Sequence, residues 1–405
     1  MRDELIQLYK SDQYPFHMPG HKRRGDLAFP PEAVDVTEVI GTDNLYEPTG
    51  ILREALDYAG KIYGCPDTYY LLNGSTVGNI TAIHAAAERG DRILVASNGH
   101  RSVLNASKLR GLKVDRLQVE RDEEIAVDTY ADPDKIARIL TEAEPTDPYK
   151  ALVITSPTYE GVVSDVKRIA EICHAHNVIL VVDEAHGAHL SMDERLPKGA
   201  IDCGADIVVH SVHKMLAGLT QTGLLHVQGD LVSREKISEY LAVFQTSSPS
   251  YLLMSSIDGA LREIEREGAA IWTEYLRIRD IYGSYERQCE LLGEPASFRV
   301  LDTDPCKIVM STAKSGLTGQ ELQMYLLIRY NIQTELAGDR HVVALCSYRD
   351  VEEGMVRLGK ALLETDQALR EGRLDMIRET AHRELDKLPP HINESLFAPC
   401  ITRAE

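Results

Sequence analysis

Lys214 stands just after the apolar run Ile207-Val208-Val209, within His210-Ser211-Val212-His213-Lys214. A lysine that follows a buried strand and is flanked by hydroxyl and imidazole groups is poorly placed as a solvated cation. Burial there favours the neutral amine, which is the form that Schiff-base chemistry requires. Asp183 closes a second apolar run, Val178-Ile179-Leu180-Val181-Val182. A carboxylate so placed is costly without a partner, and a protonated ring nitrogen would serve as one.

Two further positions follow predicted strands. After Tyr69-Tyr70-Leu71-Leu72 comes the small-residue turn Asn73-Gly74-Ser75-Thr76, which opens a helix whose free amides suit a phosphate dianion. After Arg92-Ile93-Leu94-Val95-Ala96 comes Gly99-His100-Arg101-Ser102, which puts an imidazole where it can stack on a flat ring. In open parallel sheets, ligands bind beyond the carboxyl ends of the strands. A phosphate turn, a stacking ring, an acid and a lysine, in that order along one sheet edge, describe a site for pyridoxal 5'-phosphate (PLP).

The elements around these residues match that demand. From about residue 51 to 230, helical stretches alternate with short β-branched runs. Runs such as LVITS and VILVVDE are apolar without alternation, as a parallel sheet covered on both faces requires. Residues 1–50, rich in Pro, Gly and His, are expected to form an arm with little regular structure. Residues 51–292 are expected to form the large α/β domain and its linking helix, with Gly259, Gly268 and Gly283 as candidate interruptions. Residues 293–405 are expected to form a smaller α+β domain.

Composition narrows the partners. With 44 Lys plus Arg against 63 Asp plus Glu, the net charge of -19 opposes a phosphate backbone, so nucleic acid is not an expected partner. No apolar run reaches the roughly 18 residues of a membrane span, and the first residues do not form a signal sequence. A cytoplasmic location is the expectation. The seven cysteines are scattered and never spaced as CxxC, so reduced, packed thiols are expected rather than disulfides or zinc.

Several of these segments together resemble the prokaryotic ornithine/lysine/arginine decarboxylase family, PLP enzymes of fold type I. They are Phe16-His17-Met18-Pro19-Gly20-His21-Lys22, Pro48-Thr49-Gly50-Ile51, Asn73-Gly74-Ser75-Thr76, Ser211-Val212-His213-Lys214-Met215-Leu216-Ala217-Gly218, and Thr246-Ser247-Ser248-Pro249-Ser250-Tyr251. The resemblance implies decarboxylation of lysine, ornithine or arginine to the corresponding amine and CO2. It also implies Lys214 as the Schiff-base residue, Asp183 at the pyridine nitrogen and His100 on the ring face, with Ser75, Thr76, Ser211 and His213 at the phosphate. Thr246 would reach the phosphate of a neighbouring subunit, which makes a homodimer the smallest complete unit. Glu335, within Asn331-Ile332-Gln333-Thr334-Glu335, would meet the basic side chain of the substrate. His186 stands where some relatives have a tryptophan near the phenolic oxygen. The segment Leu396–Glu405 ends the chain earlier than in larger members.

Two rival chemistries are also to be weighed. Another PLP reaction, such as transamination, would call on an arginine for the substrate carboxylate, with Arg340 and Arg349 as candidates. A metal hydrolase would need His186 and His189 on one helical turn.

Overall fold

The computed structural model describes residues 2–24 and 31–385. Leu396–Glu405 therefore lies outside the described residues, as does Cys400. The six described cysteines carry no disulfide, and no described helix is long and apolar enough to cross a membrane.

The described chain divides into two compact units. The larger comprises residues 31–120 and 128–268 and is built on a seven-stranded sheet. In spatial order its strands are Asp67–Leu71, Gly223–Val227, Ile207–His210, Ile179–Asp183, Tyr149–Thr155, Arg92–Ala96 and Lys113–Leu117. The last five run parallel, and Gly223–Val227 is antiparallel to both its neighbours. Two buried apolar clusters, one containing Leu94, Leu152 and Leu180 and the other Ile93, Val153 and Val181, fill its opposite faces. Helix Gly74–Ala86 packs closely because residue 78 is glycine: a Cβ there would lie 2.6 Å from Leu71 Cδ1 and 2.7 Å from Val209 Cγ1. This is the α/β, mainly parallel sheet that the apolar runs require. Lys113–Leu117 lacks such a continuous apolar run; as an edge strand it carries Lys113, Asp115 and Arg116 among its five residues.

The smaller unit comprises residues 2–24, 121–127 and 269–385. It holds an antiparallel sheet of Lys307–Ser311, His341–Leu345 and Leu336–Ala337, with helices Ala269–Glu286, Gly319–Tyr330, Glu352–Arg370 and Leu374–Leu385.

Two expectations about this part differ from the structure. The arm is not irregular throughout, since Arg2–Lys10 is a helix and Tyr14–Phe16 pairs in parallel with Ile332–Thr334. Residues up to 24 therefore cluster with the carboxyl-terminal elements. The expected link of 251–292 is two helices, Tyr251–Glu267 and Ala269–Glu286. They part at Gly268, whose φ of +54° ends the first, and the unit boundary falls there rather than near 292. Gly259 and Gly283 lie within helices.

The PGHK segment is held by a buried ionic contact. Lys22 Nζ lies 3.8 Å from Asp350 Oδ2 with both side chains fully buried, and it donates to the His17 and Leu345 carbonyls. The Tyr14 hydroxyl donates to Asp350 Oδ1 over 3.1 Å. Removing one partner strands a buried charge. Lys22→Met is therefore expected to destabilise this unit by about 3–5 kcal/mol, read as a fall in its urea midpoint.

Candidate active site

Strand Ile179–Asp183 ends with Asp183 paired in register opposite Val209, so the Asp183 and Ser211 strand ends emerge side by side. Asp183 is 3% exposed. Its Oδ2 accepts from Asn79 Nδ2 at 2.7 Å and its Oδ1 from the Ala185 amide at 3.2 Å. Asn79 donates its second proton to Ser102 Oγ at 3.0 Å. Ser102 then has one proton to give, and it lies 2.7 Å from His100 Nδ1, which also receives the Ser102 amide at 3.2 Å. With Nδ1 accepting, His100 carries its proton on Nε2 and is neutral. Burial pushes its pKa down in the same direction, while the Asp183 charge opposes this and Lys214 reinforces it. Asn79 and Ser102 went unread in the sequence. The available signal was a polar residue, Asn79, within the otherwise small and apolar stretch Val77-Gly78-Asn79-Ile80.

Lys214 is half-buried in the short helix Val212–Met215, and its Nζ is 3.1 Å from His186 Nε2. The His186 ring lies 4.6 Å from that of Tyr159. His213 donates from Nδ1 to the Thr222 carbonyl at 2.8 Å, which leaves Nε2 for another contact. Burial lowers its pKa, and Lys214 lowers it further. Ser211 is fully buried, and its Oγ has no hydrogen-bond partner among the described residues. An orphaned hydroxyl at a strand end is costly unless an acceptor comes to it. A phosphate oxygen fits that need.

Ser75 and Thr76 lie in the first turn of helix Gly74–Ala86. The residue before the helix, Asn73, does not cap it with its side chain; Asn73 Oδ1 instead accepts from the Thr246 amide at 3.1 Å. The Gly74 amide donates to the Gln221 carbonyl at 2.9 Å, which leaves the Ser75 and Thr76 amides for an anion. Thr246 Oγ1 accepts from the Ser248 amide at 3.1 Å. Of the expected site residues, Lys214, Asp183, His100, His186, Ser211, His213, Ser75, Thr76 and Thr246 all belong to the larger unit. Glu335 belongs to the smaller unit, where its Oε2 accepts from the Met18 amide at 2.8 Å. Residues 185–186 and 188–190 form turns with no helix between them, so the helical spacing needed for a His186–His189 metal pair is missing.

Burial lowers the pKa of His84, His100, His213 and His226 below the ordinary imidazole value of 6.5. These rings stay neutral in the folded chain while the unfolded chain takes up protons through 6.5. Stability is thus fully present above that pH and lost as pH falls below it. The urea midpoint should drop between about pH 7 and pH 5, and a flat profile would contradict these assignments.

Comparison with known proteins now defines the class. The fold is that of PLP-dependent enzymes of fold type I, shared with structures as different as an alanine–glyoxylate aminotransferase from Nostoc sp. (TM-score 0.63, 16% identity, covering 82% of this chain and 90% of that one). Residues 1–282 match the family model "Orn/Lys/Arg decarboxylase, major domain". The chain belongs to that family of PLP-dependent amino acid decarboxylases. It is 31% identical over 395 residues to arginine decarboxylase of Bacillus subtilis (strain 168), covering 93% of this chain and 78% of that protein. It also resembles the Francisella novicida lysine decarboxylase structure LdcF (TM-score 0.70, 19% identity, 91% of this chain), of which it spans 60% of the length.

Proposed function

We propose that this chain is a PLP-dependent decarboxylase acting on a basic amino acid, with arginine as its substrate. The observation that carries the reading is the gathering of Lys214, His186, Asp183 and His100 at one sheet edge, beside the orphaned Ser211 hydroxyl. Bound PLP supplies an electron-accepting ring for the electrons released when the bond from Cα to the carboxylate breaks.

Each residue has a definable task. Lys214 is the covalent attachment point, and with His186 3.1 Å away it can hold a proton and return it to Cα. Asp183, fixed by Asn79, keeps a proton on the ring nitrogen. His100 is held neutral by Ser102, so it offers a ring face without a competing positive charge. Ser75, Thr76, Ser211 and His213 Nε2 hold the phosphate, helped by first-turn amides. Thr246 completes the phosphate site of a partner copy, making the working unit a homodimer in the cytoplasm.

Arginine is favoured because relatives named arginine decarboxylase are 30–31% identical over 364–395 residues. Those named lysine or ornithine decarboxylase are 25–26% identical over 286–296 residues. Glu335 is the proposed acid for the distal cation. Glu335→Gln should raise KM for the amino acid on the order of tenfold while kcat changes little, and an unchanged KM would remove Glu335 from this role.

The test is release of CO2 from arginine, lysine and ornithine, each supplied to the PLP-loaded protein. CO2 from arginine supports the full reading, and CO2 from another basic amino acid corrects the substrate. PLP binding without CO2 from any of the three overturns the decarboxylase assignment.

A further inference from the structure

Four buried polar side chains of the larger unit form a line that none of the tasks above uses. Glu184 Oε2 is 2.7 Å from His210 Nε2, His210 Nδ1 is 3.1 Å from His226 Nε2, and His226 Nδ1 is 2.8 Å from Thr68 Oγ1. Each residue is 1–3% exposed. The Thr68 hydroxyl donates to the Cys65 carbonyl at 2.7 Å. The Tyr63 ring covers both imidazoles, with centroids 5.0 and 4.7 Å away, and its hydroxyl donates to the Ala188 carbonyl.

The anchor at Thr68 sets the direction of every bond. Thr68 has one proton and gives it to Cys65, so towards His226 it can only accept. His226 Nδ1 therefore carries the proton, and Nε2 of the neutral ring accepts from His210 Nδ1. One proton is left between His210 Nε2 and Glu184 Oε2. Whichever atom holds it, the pair is neutral overall and has one donor facing one acceptor. A second proton, or none, would put net charge into a dry interior. The other Glu184 oxygen accepts from the Ala200 amide at 2.9 Å. His189 and Cys203 are further titratable neighbours of Glu184.

The place of this line in the chain suggests its use. Glu184 directly follows Asp183, and His210 directly precedes Ser211, four residues before Lys214. Side chains alternate across a strand, so Glu184 and His210 join the two strand ends from the face opposite Asp183. We propose that Glu184 and His210 are positioning residues, a proton-sharing tie anchored through His226 and Thr68 to the Cys65 carbonyl, which fixes the spacing of Asp183 and Lys214. The tie stands on its own geometry, while its consequence for the reaction rests on the PLP reading.

The test combines histidine-selective 15N NMR of the PLP-treated full chain with two variants. The spectrum should show His226 as the Nδ1–H tautomer. Glu184→Ala should weaken PLP retention and lower kcat on the order of 100-fold, with KM for the amino acid changed far less. Glu184→Gln should restore both to within about tenfold of wild type, because its amide can accept from Ala200 and donate to His210. An Nε2–H tautomer at His226 would overturn the proposal. So would wild-type PLP affinity and kcat in Glu184→Ala, or, should that variant fail to fold, a Glu184→Gln protein that folds but has lost PLP affinity. A wild-type protein that binds no PLP yet shows the expected tautomer supports the tie and sinks the reading of function.

Discussion

Lys214→Ala is expected to lower kcat/KM by roughly 10⁴-fold or more and to leave no PLP that borohydride can fix to the chain. The methyl group can neither attach the cofactor nor return a proton to Cα. His186, whose Nε2 lies 3.1 Å from the Lys214 amine, cannot take over the attachment, because an imidazole has no primary amine to condense with an aldehyde. Lys214 is only half-buried, and the fold around it is carried by the apolar clusters on the two sheet faces. The thermal midpoint should therefore stay close to that of the wild type. A folded variant with appreciable turnover would remove Lys214 from the centre of the reaction.

Asp183→Asn should be the second most damaging change, with kcat lowered by about 10²- to 10⁴-fold and PLP still bound. Asn79 presents a donor to residue 183, so the new side chain must turn its carbonyl oxygen towards Asn79 Nδ2. Its NH2 group then points where Oδ1 had been and offers a donor where an acceptor is needed. Residue 183 would then no longer hold a proton at the ring nitrogen of bound PLP, on which the ring's electron-withdrawing power would depend. The absorption of bound PLP should change accordingly, and wild-type kcat in this variant would show that ring protonation does not depend on residue 183.

The parts of the fold legible in the sequence were those with a local cause. Strands Tyr149–Thr155 and Ile179–Asp183 are apolar on both faces because helices cover both, so continuous runs marked them. The residues at their ends could then be read as a site without any contact being known. Pairings between distant segments left no such mark. Tyr14–Phe16 is three residues long and meets Ile332–Thr334 from the far end of the chain, which no periodicity announces. Asn79 is silent for a related reason: its partner Asp183 is distant in sequence, and only its polarity within an apolar stretch hinted at one. Glu184 and His210 adjoin the residues that drew notice, yet their bond joins two strands and becomes visible only once the sheet is assembled.

The most direct test of the central claim is borohydride reduction of the protein after incubation with PLP, followed by proteolysis and mass spectrometry of the modified peptide. The structure predicts one phosphopyridoxyl group, on Lys214. Modification spread over surface lysines, or none at Lys214, would contradict the assignment of this sheet edge as a PLP site.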